Sequence, residues 1–245
     1  MNIALISDSK TEYKREGCEI TFIPSDRGTA PEEWCRFDAA FLVAPVSENA
    51  VKAWTGHPHI RYVNNIKELK EEIAFLFKNI ECEKKFLIKA LDFEALKKYN
   101  PFKADIEQVY LTDEDCSRRI RKRKMENAVS FVETVKIRLS PTVSSEFERR
   151  IDEKAYCELL KKANPKKHPI IKSRYCFFYE KQYFELDVFD FLKGFALLEI
   201  ELKNENDKYS LPPEIKVIRD VTEDGRYKNS HLAGIAYEDY KTELL

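Results

Sequence analysis

Six segments of this 245-residue chain carry two like-charged side chains at i and i+2: Glu81 and Glu83, Arg119 and Arg121, Glu146 and Glu148, Lys172 and Arg174, Glu185 and Asp187, and Glu199 and Glu201. On a β-strand such residues share one face. Ordinary sheets mix polar residues on the solvated side, so pairs segregated by sign, strand by strand, are not what an exterior produces. Like charges side by side repel unless opposite charges meet them. A closed sheet solves this, because acidic strands then oppose basic strands across a lumen. A barrel of about eight strands has an interior just wide enough for side chains or one small ligand. Faces that converge inside one closed sheet would make this an α+β protein with a mostly antiparallel barrel, its cavity wet and lined with both signs. Residues of the other parity face outward and need helices, such as one over 152–163, to cover them. A compact polyanion with divalent cations fits such a lumen: Arg and Lys hold phosphate oxygens while carboxylates hold the metal.

Composition narrows the partners. Lys plus Arg number 42 against 43 Asp plus Glu, a net charge of -1, so no bulk field draws the chain onto nucleic acid or an anionic membrane. With 43% hydrophobic residues it can bury a core, which argues against disorder as the main state. Only 6 glycines occur and no glycine-rich phosphate loop is present, so any bound phosphate must meet side chains. No apolar run approaches the roughly 18 residues of a membrane span, and no cleavable signal pattern opens the chain; a cytoplasmic protein is expected. Cys18, Cys35, Cys82, Cys116, Cys157 and Cys176 are widely spaced without a C-x-x-C, and are read as reduced packing thiols. The basic run Arg118 to Lys124 suggests nucleic acid, but strand period turns only alternate residues outward and no wider basic surface accompanies it.

Two regions differ in rhythm. Residues 1–79 show short apolar runs at Ile3 to Ile6, Ile20 to Ile23, Ala39 to Val43 and Ile60 to Val63, which read as buried strands. Ile66, Leu69, Ile73, Leu76, Phe77 and Ile80 then recur at helical spacing, with Asn65 and Glu68 placed as N-cap and capping-box partner. This predicts a small α/β module of no readable function, followed by the tunnel domain over 80–245. Gly56, His57, Pro58 and His59 read as a proline turn rather than a metal pair, and Trp34 and Trp54 as aromatic packing. In the second region helices are expected around Asp92 to Tyr99 and from Asp152 to Ala163, the latter with Tyr156, Leu159, Leu160 and Ala163 on one face.

The charged elements resemble, in order, those of the CYTH superfamily, the triphosphate tunnel metalloenzymes. Its E-x-E-x-K is present as Glu81, Glu83 and Lys85. The R-x-R strand at Arg119 and Arg121, with Arg123 continuing the same face, is similar to that of the short bacterial members. So are T-x-K at Thr134 to Lys136, E-x-E at Glu146 and Glu148, K-x-R-Y at Lys172 to Tyr175, F-E-L-D-V-F at Phe184 to Phe189 and E-I-E at Glu199 to Glu201. Val221 to Asn229 resembles a closing segment of those enzymes. The resemblance covers about residues 80–236. It implies an antiparallel eight-stranded β-barrel tunnel with flanking helices, and a metal-dependent triphosphatase using Mg²⁺ or Mn²⁺, with inorganic triphosphate as the substrate favoured by closeness to the short bacterial members.

Carried over position by position, the resemblance makes Glu81, Glu83, Glu199 and Glu201 metal-ligand candidates. Lys85, Arg119, Arg121, Lys136, Lys172, Arg174 and Lys228 become candidates to bind phosphate, and Glu81, Glu83, Lys85, Lys136 and Glu148 candidates for catalysis. The mechanism it points to is attack of water on a terminal phosphorus, carried mainly by positioning and electrostatics. Thiamine triphosphate and nucleoside triphosphates stay open as substrates. Class IV adenylyl cyclase chemistry lacks a dedicated base or ribose motif here. A different class of role is a sensor that grips a triphosphate nucleotide without turnover and signals through residues 1–79. Oligomeric state is not written in one sequence.

Overall fold

The computed structural model describes residues 1–10, 13–14, 18–27, 34, 36–57, 59–76, 80–90, 93–112, 117–140, 142–235, 239–240 and 244. Cys35, Pro58, Phe77, Asp92 and Cys116 lie outside them. Strands β1 (Asn2–Ser7), β2 (Glu19–Pro24), β3 (Ala39–Val43) and β4 (Ile60–Val63) form a parallel sheet in the order β2-β1-β3-β4. Every residue of β3 is buried, as expected of a continuous apolar run in a sheet covered on both faces. Helix α1 (Glu48–Trp54) was not anticipated; Ser47 caps it by accepting from the Ala50 N–H at 3.2 Å.

Helix α2 (Ile66–Leu76) covers one face of this sheet, packing Leu69 and Ile73 on Ile3, Leu5 and Phe41. Asn65 accepts from the Glu68 N–H at 3.0 Å as predicted. The Glu68 carboxylate reaches back one residue further than a capping box requires, to the Asn64 N–H at 2.8 Å. Ile80 belongs to a strand rather than to this helix, which corrects the periodicity reading.

Nine antiparallel strands follow: β5 (Ile80–Lys89), β6 (Phe102–Tyr110), β7 (Ser117–Lys124), β8 (Val129–Arg138), β9 (Val143–Ile151), β10 (Ile170–Tyr179), β11 (Gln182–Val188), β12 (Phe195–Leu202) and β13 (Val217–Asp220). Their order is β12-β11-β10-β6-β7-β8-β9-β5-β13, and β12 also pairs with β5. β5 to β12 thus close into the eight-stranded antiparallel tunnel that the CYTH resemblance implied, with β13 added outside on β5. Helix α3 (Phe93–Leu96) and a 3₁₀ turn over Lys97–Tyr99 stand where one short helix was expected.

Helix α4 (Glu153–Leu160) is capped by Asp152, whose carboxylate accepts from the Ala155 N–H at 2.7 Å. Its Tyr156 and Leu159 pack on Val109 and Ile120. Leu160 is exposed, one residue round the helix from that stripe, and so does not share the buried face. The helix ends there, and Ala163 instead forms a β-bridge with Leu111. Helical cover of the barrel is partial: Ile137, Leu139, Phe147 and Ile171 are exposed. Among the described residues no helix is long and apolar enough to cross a membrane.

Along the strands, the inward-facing positions change from apolar to charged and back to apolar. At one end Leu87, Tyr110, Ile170 and Leu197 meet Tyr227, Leu232 and Tyr240 of the C-terminal segment, which includes a 3₁₀ turn (Gly225–Tyr227) and helix α5 (Asn229–Leu232). At the other end Ala104, Met125, Cys176 and Tyr183 enter one core with Ala4, Ile6, Leu42, Trp34 and Trp54 of the N-terminal sheet. The charged girdle lies between these two ends, and at the first end the cover is one-sided: Ser117 of β7 and Arg138 of β8 stay polar there and line the cavity beside Asn229 and Ser230.

Candidate functional site

The girdle encloses a cavity of about 150 Å³ lined by seven carboxylates and seven Lys or Arg side chains. Of the residues singled out from the sequence, Glu81, Glu83, Lys85, Arg119, Arg121, Lys136, Glu148, Arg174, Glu199, Glu201 and Lys228 all reach its wall. Strand geometry brings them together. On β5 Glu81, Glu83 and Lys85 point inward while Cys82, Phe86 and Ile88 pack outward.

Acids and bases interlock around the wall. Lys85 pairs with Glu199 at 2.7 Å, and Glu199 also accepts from Arg174 at 3.0 Å. Arg119 meets Glu146 at 2.6 Å, and Lys136 lies 2.9 Å from Glu146 and 3.2 Å from Glu81. Glu148 accepts from the Thr134 hydroxyl at 2.7 Å and lies 3.8 Å from Arg121. This arrangement answers the repulsion inherent in like-signed pairs. It also leaves donors over: among the described residues no acceptor meets the buried Nε groups of Arg119 and Arg121, while the Asn229 side-chain oxygen is a buried acceptor that no donor meets. A buried donor without an acceptor is costly, so a ligand rich in acceptor oxygens is what these guanidinium groups lack.

Lys172 is not on the wall. Its ammonium is buried behind Arg174 in an ion pair with Asp187, which the Arg174 guanidinium grips with two hydrogen bonds of 2.7 Å. The pair is a foundation for Arg174 rather than a surface of the cavity, which corrects the reading of Lys172 as a group that touches phosphate. Arg123 turns inward too, but beyond the cavity, where it donates to the Gly56 carbonyl at 2.6 Å. Arg118 faces outward and joins Arg149 on Glu133. The register of the basic strand is thereby fixed as Arg119, Arg121 and Arg123 inward.

Sequence reasoning missed several lining groups. Tyr110 and Arg138 follow the inward parity of β6 and β8, so that parity was their only signal. Asn229 follows Lys228 in the closing segment. His59, weighed in the sequence only as half of a metal pair and read as part of a turn, comes from the segment just before β4: its Nε2 lies 3.0 Å from Glu148. Arg61, two residues on, forms an ion pair with Glu201.

Burial and neighbours move the titrations apart. Burial, the Glu146 charge and the Glu201 charge hold Glu81 well above the usual carboxylate range against Lys136. Burial works against the charge on Glu148 and Glu199, but the His59 hydrogen bond and Arg121 for the first, and Lys85 and Arg174 for the second, keep both well below that range. Burial also opposes the Lys136 cation, and Glu83, Glu146 and Glu81 outweigh it and raise its pKa. Lys228 is pulled down to about 8 by burial and by the Arg138 and Lys85 charges. It carries its positive charge below that pH and loses it above. Binding of a polyanion in the cavity should therefore weaken as pH goes from about 7 to 9 when followed by calorimetry, and Lys228→Arg should flatten that fall.

The donor set suits a hard divalent cation. Glu83 lies directly opposite Glu201 on adjacent strands, an arrangement of like charges that a cation relieves. Among the described residues Glu83 makes no ion pair. Glu199 is already held by two cations, so Glu81, Glu83 and Glu201 fit a metal better than Glu199 does. No three acids, histidines or cysteines among the described residues form a ready-made metal cage.

No protein-family model matches the chain, and no curated protein matches it. Solved structures do. The inorganic triphosphatase NE1496 shares 28% identity over 64% of this chain and 95% of its own, with a TM-score of 0.45. The PH1819 protein from Pyrococcus horikoshii OT3 shares 25% over 50% of this chain and 80% of its own, with a TM-score of 0.39. HpAC1 from Hippeastrum, described as having a dominant triphosphatase activity, shares 20% over 51% and 80%, with a TM-score of 0.40.

Proposed function

We propose that this chain hydrolyses a triphosphate inside the tunnel with the help of Mg²⁺ or Mn²⁺, and that inorganic triphosphate is its substrate. The reading is supported by the two buried guanidinium groups, Arg119 and Arg121, whose Nε donors no acceptor among the described residues meets inside a cavity walled by both signs. Glycine-rich backbone cradles are absent from the sequence, so side chains must do the gripping.

Arg119, Arg121, Lys136 and Lys85 would hold the phosphate oxygens that do not transfer, and Arg174, fixed by Asp187, would complete the clamp. Glu81, Glu83 and Glu201 would hold the cation. When bound, it supplies neutralisation of the charge on the terminal phosphoryl group and activation of water. Glu148, kept ionised, would orient the attacking water. Water oxygen forms a bond to the terminal phosphorus, the bond to the bridging oxygen breaks, and orthophosphate and diphosphate leave. Most of the acceleration would come from holding the chain in line within a low-dielectric girdle.

The assay is phosphate release from inorganic triphosphate, thiamine triphosphate and ATP, with and without Mg²⁺ or Mn²⁺, with cyclic nucleotide separated from phosphate. Multiple turnovers on inorganic triphosphate, dependent on the cation, are expected. Tight binding without turnover would replace the hydrolase by a triphosphate sensor, a reading favoured by the contact of the N-terminal sheet with the tunnel.

A further inference from the structure

We propose that residues 1–79 cap the tunnel, making it blind at one end, and that His59 and Arg61 turn that end into a receptor for a free terminal phosphate group. The inference rests on the triphosphate reading above and deepens it: the substrate must be a linear chain with at least one unsubstituted end.

The cap is built rather than merely adjacent. One face of the N-terminal sheet shares its core with the apolar end of the barrel's inward-facing positions, including Ala104, Met125 and Cys176. Gly56 sits at the junction, where an added Cβ would lie 2.4 Å from ring carbons of both Phe102 and Trp34, so only glycine lets the two surfaces meet. Two inward-facing arginines then donate across the seam to main-chain carbonyls: Arg123 to Gly56 at 2.6 Å, and Arg150 to Trp34 at 3.1 Å and to Phe37.

From this seat His59, the residue before β4, and Arg61 on β4 reach the girdle. His59 forms part of the cavity wall, hydrogen-bonded to Glu148. Arg61 stands behind Glu201, and Glu201 lines both the tunnel and a second cavity between β4, α2 and the β11–β12 edge. The Arg61–Glu201 pair is thus the partition between the tunnel and that outer crevice. Arg138 ends β8 far from Val132, which faces Arg150 at the seam, and Lys228 and Asn229 belong to the C-terminal segment packed on the barrel end opposite the N-terminal sheet. A phosphate chain entering past Lys228 would end at His59. His59 would contact the last phosphate group; Arg61 is a positioning residue that acts through Glu201. A chain substituted at both termini has no group that can occupy the blind end.

Calorimetric binding of tripolyphosphate and of P¹,P³-di(adenosine-5′) triphosphate to the full chain, with and without Mg²⁺, tests this, with hydrolysis followed separately. Tripolyphosphate should bind at least tenfold more tightly than the doubly substituted ligand, as expected for a charge-assisted contact to the terminal group. His59→Gln should weaken tripolyphosphate about tenfold and shrink the ratio between the two ligands. Arg61→Ala should shrink it as well and Arg61→Lys restore part of it, whereas Lys228→Ala should weaken both ligands and leave the ratio in place. Equal binding of the two ligands by the wild-type chain would overturn the cap. So would an unchanged ratio in His59→Gln and Arg61→Ala variants that melt like wild type. A wild-type preference without phosphate release would keep the cap and remove the hydrolase; binding of neither ligand would remove both.

Discussion

Glu83→Ala should lower kcat/KM for inorganic triphosphate about a thousandfold, a loss of about 4 kcal/mol in transition-state stabilisation, while the melting temperature stays within a few degrees of wild type. The separation of activity from stability follows from its surroundings. Glu83 forms no ion pair among the described residues and faces Glu201 across the β5–β12 ladder, so its removal relieves a repulsion and leaves no buried cation stranded. What it removes is one of three oxygen donors proposed for the metal. Glu199→Ala is the contrast. Glu199 compensates Lys85 and Arg174 together, both almost fully buried, and its loss should cost stability as well as turnover. Steady-state kinetics beside urea denaturation for the two variants separates the roles. A Glu83→Ala enzyme with wild-type turnover would remove that residue from the proposed metal site.

The tunnel was legible because strand parity is a strict rule. Once Glu81, Glu83 and Lys85 are placed on one face, the same parity applied to six strands sends the charged pairs inward, and their signs leave a closed sheet as the economical solution. The same rule misled at Lys172. Parity correctly turns it inward, but depth along the tunnel depends on barrel shear and on the side chain next door, and Arg174 takes the position nearer the ligand. Where each pair sits between the apolar ends was encoded in its flanks: Ile170 before Lys172 and Cys176 after Arg174 mark the two ends of the charged stretch on β10. His59 and Arg61 were out of reach of any local pattern. They come from β4 and the residue before it, and only the shared core around Trp34, Trp54 and Met125 brings that segment against the girdle. Trp34 and Trp54 were rightly read as packing residues, but the surface on which they pack is the junction with the barrel rather than a private core.

Asp187→Ala should destabilise the fold by about 3 to 5 kcal/mol, because it strips the counter-charge from two buried cations at once. The Asp187 carboxylate is fully buried; it takes two hydrogen bonds from Arg174 and an ion pair from Lys172, and although Arg174 also meets Glu185 and Glu199, Asp187 is the one carboxylate paired with Lys172 among the described residues. Lys172→Met should cost far less, since Asp187 keeps its bidentate arginine and the methionine replaces a buried stem of similar length. The pH dependence discriminates further. Burial and then the Arg174 charge pull Lys172 from its ordinary 10.5 to about 8, so between these values the folded chain binds fewer protons than the unfolded chain and stability should rise with pH. Lys172→Met should reduce that rise, leaving the part that Lys228, also pulled down to about 8, contributes over the same window. Asp187 works at the opposite end: burial resists its charge, but Arg174 and Lys172 depress its pKa below 3.8, so its contribution is present above the ordinary carboxylate range and is lost as pH falls through the folded value. Urea denaturation of wild type and both variants from pH 3 to 10.5 would show the two windows; a Lys172→Met protein as unstable as Asp187→Ala would mean that the Asp187–Arg174 pair does not hold without the ammonium beside it.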